Sequence, residues 1–320
     1  MSNRPLLTIA IPTYNRSACL VRLLNSIINQ EGDDFDDLEV IICDNASTDN
    51  TAVIVKNFLN KIKNSVYYKN EQNLGMDGNF KKCFELSNGE YFWMIGDDDQ
   101  IADKGLSKVL SIIKSRPTLD MIHVNSTTDE GEVIDDSGLK TTFYLNDADF
   151  ISNVKIMFTF ISGMICKKSA ITVNNVNVFG PQIYGKYLMH LAWQISLLKN
   201  GSNFAIIHNT IIQAKQDNSG GYHLYKVFSC NLATIFDLFY SREHVVSKKI
   251  RTSAYLFLLN FLGDENKTKS FTTNNYLKEC DAAFMDLNCY KYIFRFFYKY
   301  TIFTPSLRKF KILIKRIIIR

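Results

Sequence analysis

Leu38-Glu39-Val40-Ile41-Ile42-Cys43-Asp44-Asn45-Ala46-Ser47-Thr48-Asp49 reads as a buried strand that runs out into a polar turn. Helical spacing follows over Thr51–Leu59, with Ser47, Thr48 and Asp49 as capping residues ahead of it. The same design stands upstream, where Leu6-Leu7-Thr8-Ile9-Ala10-Ile11 is closed by Pro12 and a helical pattern runs from about Cys19 to Gln30. It recurs downstream as a strand at Ser65–Tyr68, a helix at Gly78–Leu86 and a strand at Glu90–Ile95. Strands alternating with helices at this spacing predict an α/β fold with a largely parallel, doubly wound sheet. Such sheets bind ligands beyond the carboxyl ends of their strands. Pro12-Thr13-Tyr14-Asn15, Asp44-Asn45, Asn73–Asn79 and Gly96-Asp97-Asp98-Asp99 all fall at those ends, so they are expected to converge on one crevice.

The last of these clusters is the most demanding. Tyr91-Phe92-Trp93-Met94-Ile95 delivers three consecutive carboxylates to one place, and crowded carboxylates repel one another. A divalent cation with oxygen ligands offsets that repulsion; the alternative is a solvated acidic turn.

Further along, the pattern predicts a helix over Gly105–Ser115, a strand at Met121–Val124, a polar turn at Asp129–Asp136 and a strand-like run at Met157–Cys166. Lys186–Leu198 has helical spacing that closes at Asn200-Gly201. Phe204–His208 and Thr210–Ala214 are either two paired strands or one interrupted strand. From Tyr222 to about Leu262, and again from about Thr273 to Tyr300, the pattern is helical. The expected division is an α/β domain over 1–222 and a helical region over 223–320 that ends in a basic amphipathic tail from about 291.

With 320 residues and 46% apolar content the chain has ordinary globular composition. Its seven cysteines, at 19, 43, 83, 166, 230, 280 and 289, form no CxxC pair and read as reduced thiols rather than a disulfide framework or zinc site. The N-terminus lacks a signal-peptide layout, and no run of about 18 apolar residues occurs, so a cytoplasmic location is expected. The net charge of +5 hides an asymmetry: residues 291–320 hold nine Lys/Arg and no Asp or Glu, leaving 28 basic against 32 acidic side chains in the rest. Cations interspersed with aromatic and branched residues, as in Phe310-Lys311-Ile312-Leu313-Ile314-Lys315-Arg316, suit an anionic membrane surface. The absence of a basic patch elsewhere argues against a nucleic-acid partner.

No G-x-G-x-x-G follows the first strand and no Walker motif occurs, which disfavours dehydrogenases and P-loop NTPases. The four polar clusters, taken in order as Ile9–Arg16, Val40–Thr51, Asn73-Leu74-Gly75 and Gly96–Asp99, resemble those of the inverting family 2 glycosyltransferases with the GT-A fold. The resemblance is close over about the first 105 residues and weakens through about residue 215. It implies a Rossmann-like, mostly parallel central sheet flanked by helices, a nucleoside-diphosphate sugar donor and Mn²⁺ or Mg²⁺. It also implies roles. Pro12, Thr13 and Tyr14 line the nucleotide pocket, Tyr14 or Arg16 lies near the base, and Asp44 recognises the base. Asn73, Gly75 and Asp77 border the ribose and diphosphate. Asp97 faces the donor ribose or sugar, Asp99 contacts the metal, and Asp98 shares either task.

Inverting transfer also needs a general base for the attacking hydroxyl. Many family members supply an Asp from a Glu-Asp pair about a dozen residues before a Gly. Here Met189–Gly201 contains no carboxylate, and His190 occupies the aspartate's place. A His with a pKa near ~6.5 can serve as a base at neutral pH; Asp135, Asp136 and Asp147 are other carboxylates, and a packing histidine is the alternative. Lys215–His223 reads as a mobile lid, with Lys215, Tyr222 or His223 touching the diphosphate or acceptor, or as an ordinary surface loop. The expected acceptor is a lipid-linked glycan at the inner face of a bacterial membrane, in O-antigen or capsule assembly, with the abequosyltransferase-like group as the nearest analogy. Two rival readings are a sugar nucleotidyltransferase, whose Gly-rich basic loop is not found after the first strand, and a catalytically inactive GT-A-fold binding protein.

Overall fold

The computed structural model describes residues 4–30, 34–128, 138–171, 179–215, 222–261 and 276–299. The chain divides into two compact units. One comprises Met1–Gly185 with Met189–Asn218, the other Lys186–Leu188 with Ser219–Arg320.

The first unit is built on a nine-stranded sheet. Its first half alternates strand and helix: β1 (Leu7–Thr13), α1 (Ser17–Ile28), β2 (Leu38–Asp44), α2 (Thr51–Leu59), β3 (Ser65–Lys69), α3 (Gly75–Leu86) and β4 (Tyr91–Met94). Then follow β5 (Gln100–Ile101), α4 (Gly105–Ser115), β6 (Met121–Thr128), β7 (Thr141–Tyr144), α5 (Asp147–Val154), β8 (Met164–Lys167), α6 (Met189–Asn200) and β9 (Phe204–Ala214). The order is β3-β2-β1-β4-β8-β6-β9-β5, with β7 on β9. β3, β2, β1 and β4 are mutually parallel, as their helical crossovers require. β8 runs against β4 and β6, whereas β6 and β9 are parallel.

Alternation along the strands fills both faces. Leu7, Ile9 and Ile11 of β1, Val40 and Ile42 of β2, and Tyr91 and Trp93 of β4 join one core with Leu20, Leu23, Leu24 and Ile27 of α1 and Val109, Leu110 and Ile113 of α4. Phe92 points the other way, edge-on to Phe84 of α3 and Trp193 of α6. Trp193 is buried and stacks on Phe84 at 5.3 Å, so it packs this layer together.

The structure corrects some of these expectations and narrows others. Met157–Cys166 is not a strand: two 3₁₀ turns, Lys155–Thr159 and Ile161–Gly163, precede the short β8. Phe204–Ala214 is one strand, whose register shifts opposite Asn125 account for its interrupted look. β5, β7 and α5 are additional elements. Of the capping candidates ahead of α2, Asp49 serves its start, accepting from Thr51 N at 3.1 Å, while Asn50, the residue directly before the helix, makes no side-chain capping bond. The turn at 129–136, with Asp135 and Asp136, the lid positions 216–221 and the tail from 300 lie outside the described residues.

The second unit is helical: Leu224–Lys226, a π turn at Val227–Asn231 and Leu232–Asp237 form one run, followed by Val245–Leu258, Tyr276–Phe284, Tyr290–Phe294 and Arg295–Lys299. Arg251 lies wholly buried in it, held by both oxygens of Asp286 at 2.6 and 2.7 Å and by the carbonyls of Arg242 and Ala283. A buried guanidinium needs that full set of acceptors. Among the described residues no helix is long and apolar enough to cross a membrane.

Candidate active site

The carboxyl ends of β1, β2 and β4 bring the polar clusters into one hydrogen-bonded assembly. Thr13, the last residue of β1, donates its hydroxyl to Asp97 Oδ2 at 2.7 Å. Arg16, just before α1, grips the same acidic turn, with Nη1 3.0 Å from Asp97 Oδ1 and Nη2 2.6 Å from Asp98 Oδ2. Asp99 turns the other way: its Oδ2 accepts from Ser162 Oγ at 2.5 Å, and the Ser162 hydroxyl oxygen accepts from Gly96 N at 2.9 Å. Gly96 leaves room for this folded turn, since a Cβ there would lie 3.1 Å from Asp98 Oδ1. Lys215 meets the site through its backbone N, 3.4 Å from Asp99 Oδ1, while its ammonium points to Cys19 Sγ at 3.9 Å.

A second layer of amides fixes the rim. Asn45, following β2, donates to Asn73 Oδ1 at 2.8 Å and to Gly75 O at 3.2 Å, and accepts from Leu74 N and Asn70 Nδ2. Asn79 ties the same loop to Cys43 O. Three backbones here adopt positive φ: Asn15 at 51°, Ala46 at 66° and Gly75 at 72°. For Asn15 and Ala46 that conformation is strained, and strain of this kind collects at functional sites. The exposed lip is Tyr14, Asn15, Asn73, Leu74 and Gly75, with Pro12 and Arg16 half-buried; Thr13, Asp44 and Asp97–Asp99 form a buried floor.

Burial dominates the electrostatics. It pushes the Asp97 carboxyl up to about 6, although the Arg16 charge and the Thr13 hydroxyl pull it down. Asp99 is pushed up to about 7, again by burial, with Ser162 opposing and the Asp98 and Asp97 charges adding. The guanidinium is on Asp97 and Asp98, so among the described residues no basic side chain is bonded to Asp99 and nothing of that kind offsets the cost of ionising it.

Two expected ligand-binding carboxylates are engaged internally. Asp44 is wholly buried; its Oδ1 accepts from Ser47 N at 2.7 Å and its Oδ2 from Tyr67 OH at 2.6 Å, so it holds the turn after β2. Asp77 accepts from Gly185 N at 2.8 Å and Met189 N at 3.3 Å, which places it as the carboxylate at the start of α6 rather than as an open group on the rim. A carboxylate is favourable at a helix N-terminus. It thereby fixes the helix that carries His190.

His190 is buried on α6, its ring edge-on to Phe80 at 6.0 Å. Its Nε2 lies 3.0 Å from Thr159 O. A carbonyl only accepts, so Nε2 holds the proton and Nδ1 keeps its lone pair. That Nδ1 is buried and makes no hydrogen bond, and neither does Gln194 Oε1 one helical turn later. Burial pulls the imidazole down to about 4, against the pull of the Thr159 carbonyl. The ring is therefore neutral at pH 7 and a weaker base than an ordinary histidine, which corrects the expectation of a pKa near ~6.5.

Thr159 and Ser162 are the residues that sequence reasoning passed over. They belong to the segment misread as a strand, which reaches His190 at one end and Asp99 at the other. Ser162-Gly163 inside an apolar run was the available sign of a break.

Among the described residues no three His, Cys, Asp or Glu side chains form a ready-made metal cluster. The donor set still fits Mg²⁺ or Mn²⁺: these ions bind through one or two carboxylates with substrate phosphates and water completing the shell. Asp99, a carboxylate to which no basic side chain is bonded among the described residues, has the chemistry to serve as such a ligand.

Fold and site together define an α/β protein with a polar, partly strained site at the carboxyl edge of a parallel half-sheet, the class that takes up nucleotides there. Residues 8–171, just over half of the chain, match the family described as Glycosyl transferase family 2, and the chain belongs to that family. It is similar to the abequosyltransferase RfbV of Salmonella typhimurium, 33% identical over 180 residues that cover 51% of this chain and 53% of that protein. It is also similar to the GalNAc(5)-diNAcBac-PP-undecaprenol beta-1,3-glucosyltransferase of Campylobacter jejuni, 35% identical over 33% of this chain and 34% of that protein. The matches thus span about half and a third of those relatives' lengths. Among solved structures, S. aureus TarS 1-349 superposes with a TM-score of 0.61 at 18% identity, covering 81% of this chain and 74% of that one. The mannosyltransferase PcManGT from Pyrobaculum calidifontis gives 0.53 at 16% identity over 94% and 86%. At these identities the solved structures establish the GT-A fold.

Proposed function

We propose that this chain is an inverting, metal-dependent glycosyltransferase that moves a hexosyl or deoxyhexosyl group from a nucleoside diphosphate to a hydroxyl of a lipid-linked glycan, in bacterial surface-polysaccharide assembly at the inner face of the membrane. The observation that carries it is the buried acidic turn Asp97–Asp99 at the carboxyl ends of β1 and β4, held by Thr13, Arg16 and Ser162 beneath the lip of Tyr14, Asn73 and Gly75. Relatives lend support. TarS has been solved with UDP-GlcNAc and PcManGT with GDP-Man and Mn²⁺. The C. jejuni relative is named for a diphospho-undecaprenol acceptor.

In the proposed reaction the lip at Pro12, Tyr14, Asn73 and Gly75 holds the nucleotide, and Asp97 orients the ribose or sugar. Arg16 and Asp98 brace the acidic turn, and Asp44 and Asp77 set the shape of the site from behind. Asp99 would hold Mn²⁺ or Mg²⁺, which when bound neutralises charge developing on the departing diphosphate. The acceptor oxygen attacks the anomeric carbon from the face opposite the diphosphate, and the anomeric C–O bond to the diphosphate breaks. His190 Nδ1 takes the hydroxyl proton, leaving an imidazolium, while the nucleoside diphosphate leaves as the anion and the configuration inverts.

A thermal-shift panel of UDP, CDP, GDP and dTDP, each with and without Mn²⁺, tests the donor half. One nucleotide is expected to stabilise the chain strongly, with a Mn²⁺-dependent part that Asp99→Ala removes. If no nucleotide shifts the melting temperature and no nucleotide sugar is hydrolysed, the chain is an inactive binding protein of this fold.

A further inference from the structure

Ser162 is wholly buried, and its backbone is pinned from two strands. Trp93 of β4 donates its indole N–H to Ser162 O at 2.8 Å. His123 of β6 lies with Nδ1 3.0 Å from the carbonyl oxygen of the next residue, Gly163; a carbonyl only accepts, so the ring donates there. β4 and β6 both pair with β8, one on each side of it, and the peptides of Ser162 and Gly163 are thereby tied to both neighbours of the strand they precede. With its backbone held in this way, the side chain has little left to vary but the direction of its hydroxyl.

That direction is set as well. The hydroxyl oxygen accepts from Gly96 N at 2.9 Å, which leaves the hydroxyl proton to go to Asp99 Oδ2 at 2.5 Å. A hydroxyl donating to a carboxylate at this length makes a strong, charge-assisted bond. The two oxygens of Asp99 therefore differ. Oδ2 is taken by Ser162, whereas among the described residues Oδ1 is met by the backbone N of Lys215 at 3.4 Å, longer than an ordinary N–H···O bond.

A carboxylate with one oxygen held and the other open meets a cation through a single oxygen. Mg²⁺ and Mn²⁺ suit that offer, since one or two carboxylates with phosphates and water complete their octahedral shell. Ca²⁺ takes six to eight oxygens and often both oxygens of one carboxylate, so it is served poorly. We propose that Ser162 is a positioning residue: by holding Asp99 Oδ2 it leaves Oδ1 as the one oxygen offered to the cation, and so selects Mg²⁺ or Mn²⁺ over Ca²⁺. This inference rests on the proposed reading of Asp99 as the metal ligand and adds which oxygen binds, what fixes it and which ions it admits.

The test titrates Mn²⁺ and, separately, Ca²⁺ into the full chain with an equimolar mixture of UDP, CDP, GDP and dTDP. The readout is the metal concentration that gives half of the metal-dependent thermal shift. The wild type is expected to need about tenfold less Mn²⁺ than Ca²⁺. Ser162→Ala should raise the Mn²⁺ midpoint by about tenfold, the usual effect of removing a group that orients a metal ligand, and move the Ca²⁺ midpoint little, so that the preference collapses. Ser162→Thr, which keeps the hydroxyl, should restore it. Because the two ions are compared within one variant, a general loss of stability cancels. An unchanged preference in Ser162→Ala, with the metal-dependent shift still removed by Asp99→Ala, overturns the role of Ser162 and leaves Asp99 as the ligand. A wild type that takes Ca²⁺ as readily as Mn²⁺ overturns the selection even where Ser162→Ala does not fold. A metal-dependent shift that survives Asp99→Ala, or none at all in the wild type, overturns the metal reading of Asp99 and this inference with it.

Discussion

The two ends of β1 make the same bond and use it differently. At the start, Thr8 Oγ1 donates to Glu39 Oε2 at 2.6 Å; at the finish, Thr13 Oγ1 donates to Asp97 Oδ2 at 2.7 Å. Both carboxylates are buried. Glu39, however, also accepts from Asn88 N and Asn88 Nδ2, each at 2.8 Å, and Gly89 N closes the ring onto Thr8. Asp97 instead has two further carboxylates beside it in sequence and a half-exposed Arg16 as its counter-ion. A buried carboxylate surrounded by fixed donors is a structural joint. One crowded with like charge, with a half-exposed guanidinium as its counter-ion, is the kind the proposed function assigns to a ligand.

The largest effect separating the two ends should appear at Asp99. Asp99→Asn is expected to lower transfer by about a thousandfold, since stabilising a leaving diphosphate contributes several kcal/mol. Stability should move the other way. In the unfolded chain Asp97 and Asp99 titrate near 3.8, and in the folded chain near 6 and 7. Below about pH 4 both states are protonated and the native state bears no penalty; as pH rises the unfolded chain ionises first, and stability falls until both folded carboxyls have ionised. The melting temperature of the metal-free chain should therefore decline from about pH 4 to above about pH 7. Asp99→Asn should flatten the upper part of that decline, and Mn²⁺ should restore what the wild type loses. A flat wild-type profile would show that the acidic turn carries no ionic burden.

His190 comes next. His190→Ala should reduce transfer by about a hundredfold or more, the usual worth of a positioned base, while the nucleotide-induced thermal shift stays unchanged. Because burial holds the imidazole near 4, the wild-type transfer rate should not show an acid limb around pH ~6.5 from this group; protonation takes Nδ1 out of service only near pH 4. His190→Asp, which puts back the family's carboxylate, should recover part of the rate and move the acid limb. Full activity in His190→Ala would place the base elsewhere.

The parallel half of the fold was legible because β1, β2 and β4 are apolar, are closed by Pro, Gly or Asp, and are interleaved with runs of helical spacing. The sheet's second half was not. β5 has two residues and β7 four, too short for any period to register, and Ile161 and Met164 look like strand residues whichever backbone they adopt. The strand ends pointed to Thr13, Arg16 and the acidic turn, which hydrogen bonds and ion pairs join into one assembly. They did not reveal that Asp44 and Asp77 also accept hydrogen bonds within the fold, because a polar residue after a strand equally serves as a turn or helix-start acceptor, and only the partners tell which. Thr159 was invisible for a plainer reason: it acts through its carbonyl, which every residue possesses.

At the amino end the effect should be on folding alone. Glu39→Ala leaves the buried Thr8 hydroxyl without its acceptor, whereas the two donors of the exposed Asn88 can turn to water, so the loss is about 1 to 2 kcal/mol. Urea unfolding should show that loss, and the nucleotide-induced shift should survive it. A variant that folds normally but no longer responds to nucleotide would break the assignment of this end to structure.

The finest test compares the two threonines. Thr13→Val removes the hydroxyl that favours the ionised form of Asp97, a loss of about 1 kcal/mol. Its cost must depend on pH, because the bond matters most once Asp97 is charged: nearly absent at about pH 5, fully present at about pH 8, with the change centred near 6. Thr8→Val, which breaks the matching bond to Glu39 and orphans Gly89 N, is the reference at the same two pH values. Equal costs for Thr13→Val at the lower and the higher pH would mean that Asp97 does not titrate between them. The two ends of β1 would then differ in the company of their carboxylates but not in their charge.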